Sequence, residues 1–322
     1  MKVSILVPVY GVEKYIEQCA DSLFSQSYED MEFVFVDDCS PDASIDILQR
    51  TLHRYPARQE QVKVVRHPVN RGLGASRKSA LAASSGEFVL NVDSDDYLMP
   101  DAVRALVEVQ QQTGADIVSG CYLSLLPDGR LHQNSAAQLD RELSLKLMLA
   151  QHTIPSNIWA RLIRKRVYTE NGIDSVEGVN MAEDYGLTPR LMLAARSIAH
   201  TDKAVYVYRL SSASSTFGDL VRPQHVHSFL RANALVCQYF QSHDSESHYA
   251  FALGLGMFNV YYKAMLAGFS RKQVSEECRY VPQQPLLRLC LALFAHKPVL
   301  WLLRFSYLAV KWCYKRWLGF GG

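Results

Sequence analysis

The stretch Glu87-Phe88-Val89-Leu90-Asn91-Val92-Asp93-Ser94-Asp95-Asp96 decides the fold. Its first half is a short apolar run, the composition of a strand buried on both faces of a sheet. The run then stops in three carboxylates within four residues. In an open α/β sheet, ligands bind outside the carboxyl ends of the strands. Carboxylates converging on such a crevice repel one another, and a divalent cation relieves the repulsion. A D-x-D spacing says little alone; its place in the strand order gives it weight. Asp93 and Asp95, directly after the strand, read as ligand-facing. Asp96, like Asp37 and Asp101, reads at least as well as a carboxylate opening a helix.

Outward from this stretch, apolar runs alternate with helical spacing up to about residue 125. Residues 3–10 form a first strand, and Tyr15, Ile16, Cys19, Leu23 and Phe24 then recur at helical spacing. Residues 32–37 and 62–67 read as further strands, followed by helices through Leu48 and over 72–84. Pro100 stands at the first turn of a helix running to Thr113, and 116–126 is another strand closed by the turn Pro127-Asp128-Gly129. This order predicts βαβ units and a mostly parallel sheet, the α/β class. Past residue 130 the alternation breaks into helices over 140–151 and 183–195 and strands over 158–163 and 203–209. From 222 the pattern is wholly helical. The expected division is a catalytic domain over 1–218, with its boundary in the Ser/Thr/Gly-rich stretch 211–218, and a helical C-terminal region over 219–322.

Bulk properties narrow the function classes. The chain has 322 residues, 48% of them hydrophobic and 20% charged, with a mean hydropathy of −0.06, which excludes extended disorder. A net charge of +2 gives no sign of a nucleic-acid partner. Seven cysteines are scattered without a C-x-x-C pair, a spacing that speaks against a zinc site or a disulfide framework and for a reducing compartment. The N-terminus enters a strand almost at once, without the apolar core and cleavage site of a signal peptide. The catalytic part is therefore expected on the cytoplasmic side.

Several motifs follow one another in a fixed order: Val3-Ser4-Ile5-Leu6-Val7-Pro8-Val9-Tyr10, Ser22-Leu23-Phe24-Ser25-Gln26-Ser27-Tyr28, Val36-Asp37-Asp38-Cys39-Ser40-Pro41-Asp42, Asn70-Arg71-Gly72 with Arg77, Gly86-Glu87-Phe88, and the acidic cluster. As a set they resemble the family 2 inverting glycosyltransferases with a GT-A nucleotide-binding fold, of the bacterial surface-polysaccharide type. The resemblance covers roughly residues 1–215 and takes in Trp159, Glu183-Asp184 and Tyr208-Arg209. It implies that Pro8, Val9, Tyr10 and Asp38 line the nucleotide pocket, with Asp38 accepting a hydrogen bond from the base. It places Arg77 on the diphosphate side, Asp93 and Ser94 toward the ribose or donor sugar, and Asp95 on a Mn²⁺ or Mg²⁺ ion. Asp184, supported by Glu183, would take the acceptor hydroxyl's proton in a single displacement with inversion. Tyr208 and Arg209, with Ser214-Ser215-Thr216, would close over the phosphates, and Trp159 either faces the acceptor or belongs to the core. Cys39 departs from the pattern, because the family commonly has glycine there. The Q-x-x-R-W motif of processive synthases is absent, which favours transfer of one sugar.

Three rivals are weaker. A dinucleotide oxidoreductase would carry a G-x-G-x-x-G turn after the first strand, where this chain has Pro8-Val9-Tyr10-Gly11. A nucleotidyltransferase would carry a glycine-rich basic phosphate loop near that strand. A non-catalytic scaffold of the same fold would have little reason to keep Asp38, Asp93, Asp95 and Asp184 together. Residues 285–320 contain no Asp or Glu but six Lys and Arg among many aromatic and Leu residues. Pro298, Arg304 and Lys311 break the run too soon for a spanning helix. Two readings stand: a basic, aromatic helix in the membrane interface, or a helical cap with snorkelling cations. The expected partners are a nucleotide-sugar donor, a saccharide or lipid-linked saccharide acceptor, as in lipopolysaccharide or capsule assembly, and the inner face of the cell membrane, on which the enzyme would be peripheral.

Overall fold

A computed structural model describes residues 1–134, 140–151, 154–210, 223–245, 247–278, 308–314 and 316. It resolves into two compact units, one of Met1–Gln138, Asn157–Gly178 and Ala194–Ser214, the other of Leu139–Ser156, Val179–Leu193 and Ser215–Gly322. The expected single cut near residue 218 thus differs from the observed division. Two helices that sequence order puts in the first half pack with the C-terminal helices, because burial of their apolar faces follows packing and not chain position.

The first unit is built on β1 (Val3–Val9), β2 (Met31–Asp37), β3 (Val62–Arg66), β4 (Phe88–Asn91), β5 (Tyr97–Leu98), β6 (Ile117–Leu125), β7 (Leu131–Asn134), β8 (Arg161–Arg164) and β9 (Ile198–Arg209). They form one sheet in the order β3-β2-β1-β4-β8-β6-β9-β5, with β7 paired to β6. The half containing β3, β2, β1 and β4 is parallel, and β8 joins it antiparallel to β4 and β6. Helices α1 (Ile16–Phe24), α2 (Ser44–His53), α3 (Leu73–Ala83) and α4 (Ala102–Thr113) connect the strands, and α6 (Lys165–Thr169) follows β8. The chain winds outward from β1 through β2 to β3 and then returns to place β4 on the other side of β1. That reversal opens a crevice at the carboxyl ends of β1 and β4.

Local chemistry explains these elements. All seven residues of β1 are buried, as a central parallel strand covered on both faces requires. α1 buries Ile16, Cys19, Ala20, Leu23 and Phe24, the i, i+3, i+4, i+7, i+8 stripe of an amphipathic helix. The β1–β4 pairing ends at Leu6 and Asn91. Pro8, which has no N–H to offer a neighbour, lies beyond the last pair on that side, where the crevice begins.

A buried carboxylate ties the strand starts together. Glu32 on β2 accepts hydrogen bonds from the Ser4 hydroxyl at 2.6 Å, the Ser85 hydroxyl at 2.8 Å and the Gly86 amide at 3.1 Å, with Lys63 at 2.9 Å. Burial alone would raise its carboxyl, but the bonds from Ser4, the Ser85 amide, Lys63 and the Ser85 hydroxyl outweigh it and hold it well below the usual range. Gly86 has no room for a side chain: a Cβ there would lie 2.5 Å from the Ser4 hydroxyl and 2.8 Å from the Ser4 amide. This is the physical content of the Gly86-Glu87-Phe88 motif.

The Ser22–Tyr28 motif has a similar role. Gln26 donates to the Met99 carbonyl at 2.9 Å and accepts from the Val103 amide at 3.1 Å, which satisfies one free N–H in the first turn of α4. α4 itself starts at Ala102, two residues after Pro100, and its N-cap Asp101 makes no side-chain cap bond. The expectation that Asp101 caps this helix is corrected: Asp101 sits in the left-handed region at φ 59° and its carboxylate meets Ser27 and Arg104 instead.

The second unit contains α5 (Arg141–Leu149), α7 (Glu183–Ala194), α8 (Pro223–His243), α9 (Ala250–Leu266) and α10 (Arg271–Cys278). Asp140 caps α5 by accepting from the Leu143 amide at 2.9 Å. Gly256 on α9 passes so near α5 that a Cβ would lie 2.1 Å from the Leu149 carbonyl oxygen. Among the described residues no helix is long and apolar enough to cross a membrane. Most of the basic, aromatic tail, 285–307 and 317–320, lies outside the described residues, as does the stretch 211–218.

Candidate functional site

The crevice is lined by the turns that follow β1, β2 and β4. After β1, Tyr10 is half exposed and the chain turns at Gly11, φ 67°. This turn hangs from the next one: the Gly11 amide donates to the Ser40 hydroxyl at 2.9 Å, Val12 to Ser44 at 3.0 Å and Glu13 to Asp42 at 3.0 Å. Asp42 also accepts from the hydroxyls of Ser40 and Ser44. Burial pushes its carboxyl up, but the Ser44 and Ser40 bonds and the Glu13 amide prevail and bring it down to about 2. Cys39 stands in this turn at φ 58°, a conformation in which glycine is at no steric disadvantage. The departure noted in the sequence is therefore a side chain carried in a glycine conformation, and the turn survives it.

Asp38 is buried, and its carboxylate is engaged from three directions. It accepts from His67 Nδ1 at 2.6 Å, the Arg71 amide at 2.9 Å and the Gly72 amide at 2.7 Å. His67 in turn meets the Ser79 hydroxyl of α3 through Nε2 at 2.8 Å. Asp38 thus shapes the Asn70-Arg71-Gly72 turn, and Gly72 has φ 85°. Arg71 extends from that turn to pair with Glu177 at 2.8 Å.

The acidic cluster divides into three environments. Asp93 pairs with Arg77 at 2.8 Å, whose side chain is only 2% exposed. The Asp93 amide donates to the Tyr206 hydroxyl at 3.0 Å, and that hydroxyl donates to Asp96 at 2.8 Å. Asp96 is 1% exposed and also accepts from the Arg209 amide at 2.7 Å. Burial first, then the charges of Asp95 and Asp93, push its carboxyl up to about 8. The reading of Asp96 as a helix-start residue is corrected: it precedes the two-residue strand β5, and the carboxyl is consumed in joining the β4 turn to β9. Ser94 is buried. Asp95 is exposed; the surrounding protein, and then Asp93 beside it, raise its carboxyl. It is the carboxylate of the three that faces open space.

β9 frames the cluster. Arg209 donates through Nε to the Asp95 carbonyl at 3.0 Å and through its terminal nitrogen to Gln18 at 2.6 Å, and lies over the Tyr15 ring at 4.9 Å. Trp159 stacks on Tyr206 at 4.6 Å and on Tyr208 at 5.2 Å, with Tyr122 edge-on at 4.8 Å. It is 7% exposed, so the alternative of an open acceptor platform is corrected to a core ring. Glu183 and Asp184 are the first two residues of α7, in the helical unit. His67 and Tyr206 were not singled out from the sequence. A histidine directly after a strand and the alternation Val205-Tyr206-Val207-Tyr208 were the signals on offer. Ser214-Ser215-Thr216 lie outside the described residues.

Sheet order, crevice and acidic strand end together define a nucleotide-sugar transferase fold of the GT-A type. The profile described as Glycosyl transferase family 2 matches residues 4–166, more than half of the chain, and the protein belongs to that family. It is 30% identical over 220 residues to a Bacillus subtilis (strain 168) protein described as uncharacterized glycosyltransferase EpsJ, covering 66% of this chain and 62% of that one. It is 32% identical over 212 residues to the poly(ribitol-phosphate) beta-glucosyltransferase of Bacillus spizizenii, covering 65% of this chain and 32% of that one. The chain thus spans less than two thirds of the length of these curated relatives. The crystal structure of S. aureus TarS 1-349 in complex with UDP superposes with a TM-score of 0.65 at 24% identity, over 93% of this chain and 82% of that one, a likeness of fold.

Proposed function

We propose that the protein transfers one sugar from a nucleoside diphosphate donor, with UDP the first candidate, to a saccharide or lipid-linked saccharide acceptor in surface polysaccharide assembly. The observation that carries this reading is the convergence, at the β1/β4 crevice, of the Asp38-shaped turn with Asp93 and Asp95. The named activities of the family 2 relatives and the UDP bound by a protein of like fold support it.

In this reading Pro8, Val9 and Tyr10 border the base. Asp38 preorganises the Arg71–Gly72 turn beside it, and any bond it makes to the base adds to the three it already accepts. Arg77 holds Asp93 toward the donor. An accessible carboxylate whose proton affinity is raised by the surrounding protein and then by a neighbouring carboxylate is a fit for a hard divalent cation, so Asp95 would hold Mn²⁺ or Mg²⁺. When bound, such an ion would neutralise charge on the diphosphate leaving group. Arg209 keeps the Asp95 backbone in place and closes the phosphate side together with Tyr208. Asp184 takes the proton from the attacking hydroxyl, with Glu183 beside it in sequence. Its support is its position in the first turn of α7, where a carboxylate is favoured by the helix dipole, two residues past Ala182 at φ 59°. The product would carry inverted anomeric configuration. Attachment to the inner membrane face through the basic, aromatic tail rests on its composition.

The test is a panel of nucleotide sugars scored for Mn²⁺- or Mg²⁺-dependent thermal protection, followed by transfer assays. Asp95→Ala is expected to lose the metal dependence of donor binding. Asp184→Asn is expected to bind donor normally and lose transfer by at least about a hundredfold, the usual scale of general-base catalysis. Protection by no nucleotide sugar, or full transfer by Asp184→Asn, would overturn the corresponding assignment.

A further inference from the structure

On the first unit, at a point where β6 and β9 fall out of register, three side chains of different chemistry meet. Cys121 Sγ lies 3.7 Å from His200 Nε2, and His200 Nε2 lies 3.6 Å from the Asp202 carboxylate. All three donor atoms fall within 4.8 Å of one another. We propose that Cys121, His200 and Asp202 form a binding site for a borderline-soft divalent ion, Zn²⁺ first, separate from the acidic cluster.

The spacing suits such an ion. Metal–ligand bonds of about 2.0–2.3 Å at a tetrahedral centre place the donor atoms roughly 3.3–3.6 Å apart, close to the two separations observed. The thiol, imidazole and carboxylate set selects Zn²⁺ over Mg²⁺ or Mn²⁺, which take oxygen ligands. A fourth position is left for water. Binding forms the sulfur–metal bond and releases the Cys121 thiol proton to solvent.

The fold builds the site through a bulge. Gly120 pairs with Thr201 but Cys121 pairs with Ala204, so Asp202 and Lys203 are extra residues on β9. His200 and Asp202, two apart on β9, share a face by strand alternation, and the bulge leaves Asp202 without a pairing partner on β6. Cys121 is 3% exposed, and the Asp202 side chain is 79% exposed, so the site has a closed sulfur side and an open oxygen side. A backbone bond to Ser119 helps fix the His200 ring, and burial lowers its proton affinity, which favours the neutral imidazole that ligates metals. Arg161, a cation that acts on His200, is directed to the Asn157 carbonyl at 2.8 Å and the Ser119 hydroxyl at 2.6 Å. The sequence spacing hides this site because the ligands come from strands 79 residues apart and no C-x-x-C pair is involved.

Cobalt(II) titration of the full chain tests the proposal. One equivalent is expected to give the near-ultraviolet thiolate-to-cobalt charge-transfer band and to be displaced by Zn²⁺, which should also raise the melting temperature. Cys121→Ser should abolish the band, while His200→Gln and the exposed Asp202→Asn should each weaken binding at least about tenfold. Asp95→Ala should leave the band intact, as should Cys39→Ser with Cys313→Ser, which removes two exposed thiols. Absence of saturable binding, survival of the band in Cys121→Ser, or its loss in Cys39→Ser/Cys313→Ser would overturn the site. If Cys121→Ser does not fold, judged by far-ultraviolet circular dichroism, Asp202→Asn decides, and unchanged affinity there overturns the three-ligand assignment.

Discussion

Replacing Tyr206 with Phe probes how the acidic cluster is held. The change keeps the ring stacked on Trp159 at 4.6 Å and removes one oxygen. That oxygen accepts from the Asp93 amide at 3.0 Å and donates to Asp96 at 2.8 Å, and both groups lose a partner in a buried setting. A neutral hydrogen bond contributes about 0.5–1.5 kcal/mol net, and one to a charged group about 1.5–3. Near neutral pH Asp96, with its carboxyl pushed up to about 8, is mostly protonated, so both bonds are neutral and the expected loss is about 2 kcal/mol. At about 2–4 °C per kcal/mol for a unit of this size, the melting temperature should fall by roughly 4–8 °C at pH 7.

The pH dependence has a definite sign. Asp96 binds its proton more tightly folded than unfolded, where an Asp titrates near about 3.9. Its contribution is full below that value and is lost as pH rises through about 8. The Tyr206 bond lowers the Asp96 carboxyl, so Tyr206→Phe should move this loss to higher pH and should cost more stability at pH 9 than at pH 7. Thermal melts at the two pH values, without added metal, measure both effects. A melting temperature within about 1 °C of wild type at both would refute the relay and the magnitude drawn from it.

Gly86→Ala forces a Cβ to within 2.5 Å of the Ser4 hydroxyl and 2.9 Å of the Lys2 carbonyl, and a loss of more than about 3 kcal/mol is expected in denaturant titration; a near-neutral result would mean that β1 and the β4 entry are not locked together. Glu32→Gln should destabilise at pH 7 yet flatten the acid limb: the wild-type carboxylate, depressed by its bonds, contributes fully above about pH 4.3 and loses that contribution as pH falls further. Parallel acid-unfolding curves for the two proteins would refute this. Cys39→Gly relieves a side chain at φ 58°, worth about 1–2 kcal/mol against about 0.5–1 for glycine's entropy, so a gain of up to about 1.5 kcal/mol should appear in the melt with UDP affinity unchanged.

The parallel half of the sheet was legible because β1, β2 and β4 are largely buried apolar runs and the half-buried edge strand β3 still carries three valines among Lys63 and Arg66. β7 escaped notice because Leu131-His132-Gln133-Asn134 carries no alternation and a single apolar residue; it exists through pairing with β6. β5, with only Tyr97 and Leu98, is defined by β9. Of the cluster, the grouping was readable and the sorting was not. Whether an aspartate caps a helix, as expected of Asp96, or receives a tyrosine from 110 residues away depends on a partner that local pattern does not name. The same holds for His67, which acquires its meaning from Asp38 and Ser79. α5 and α7 were found as helices, yet their place in the helical unit reflects close approaches such as that of Gly256 to Leu149, which spacing along the chain does not encode.

The Arg77–Asp93 pair alters what an approaching anion meets. Four aspartates in the sequence, Asp38, Asp93, Asp95 and Asp96, suggest a strongly repulsive basin for a pyrophosphate. Asp38 is buried among donors, Asp93 carries its own countercharge, and Asp96 holds a proton over most of the neutral range. Among these four, Asp95 is the carboxylate that faces open space, and the Arg209 guanidinium beside it offsets part of its charge. Encounter with a polyanion should then depend less steeply on ionic strength than four bare aspartates would make it, and a bound dication at Asp95 would shift the local field toward attraction.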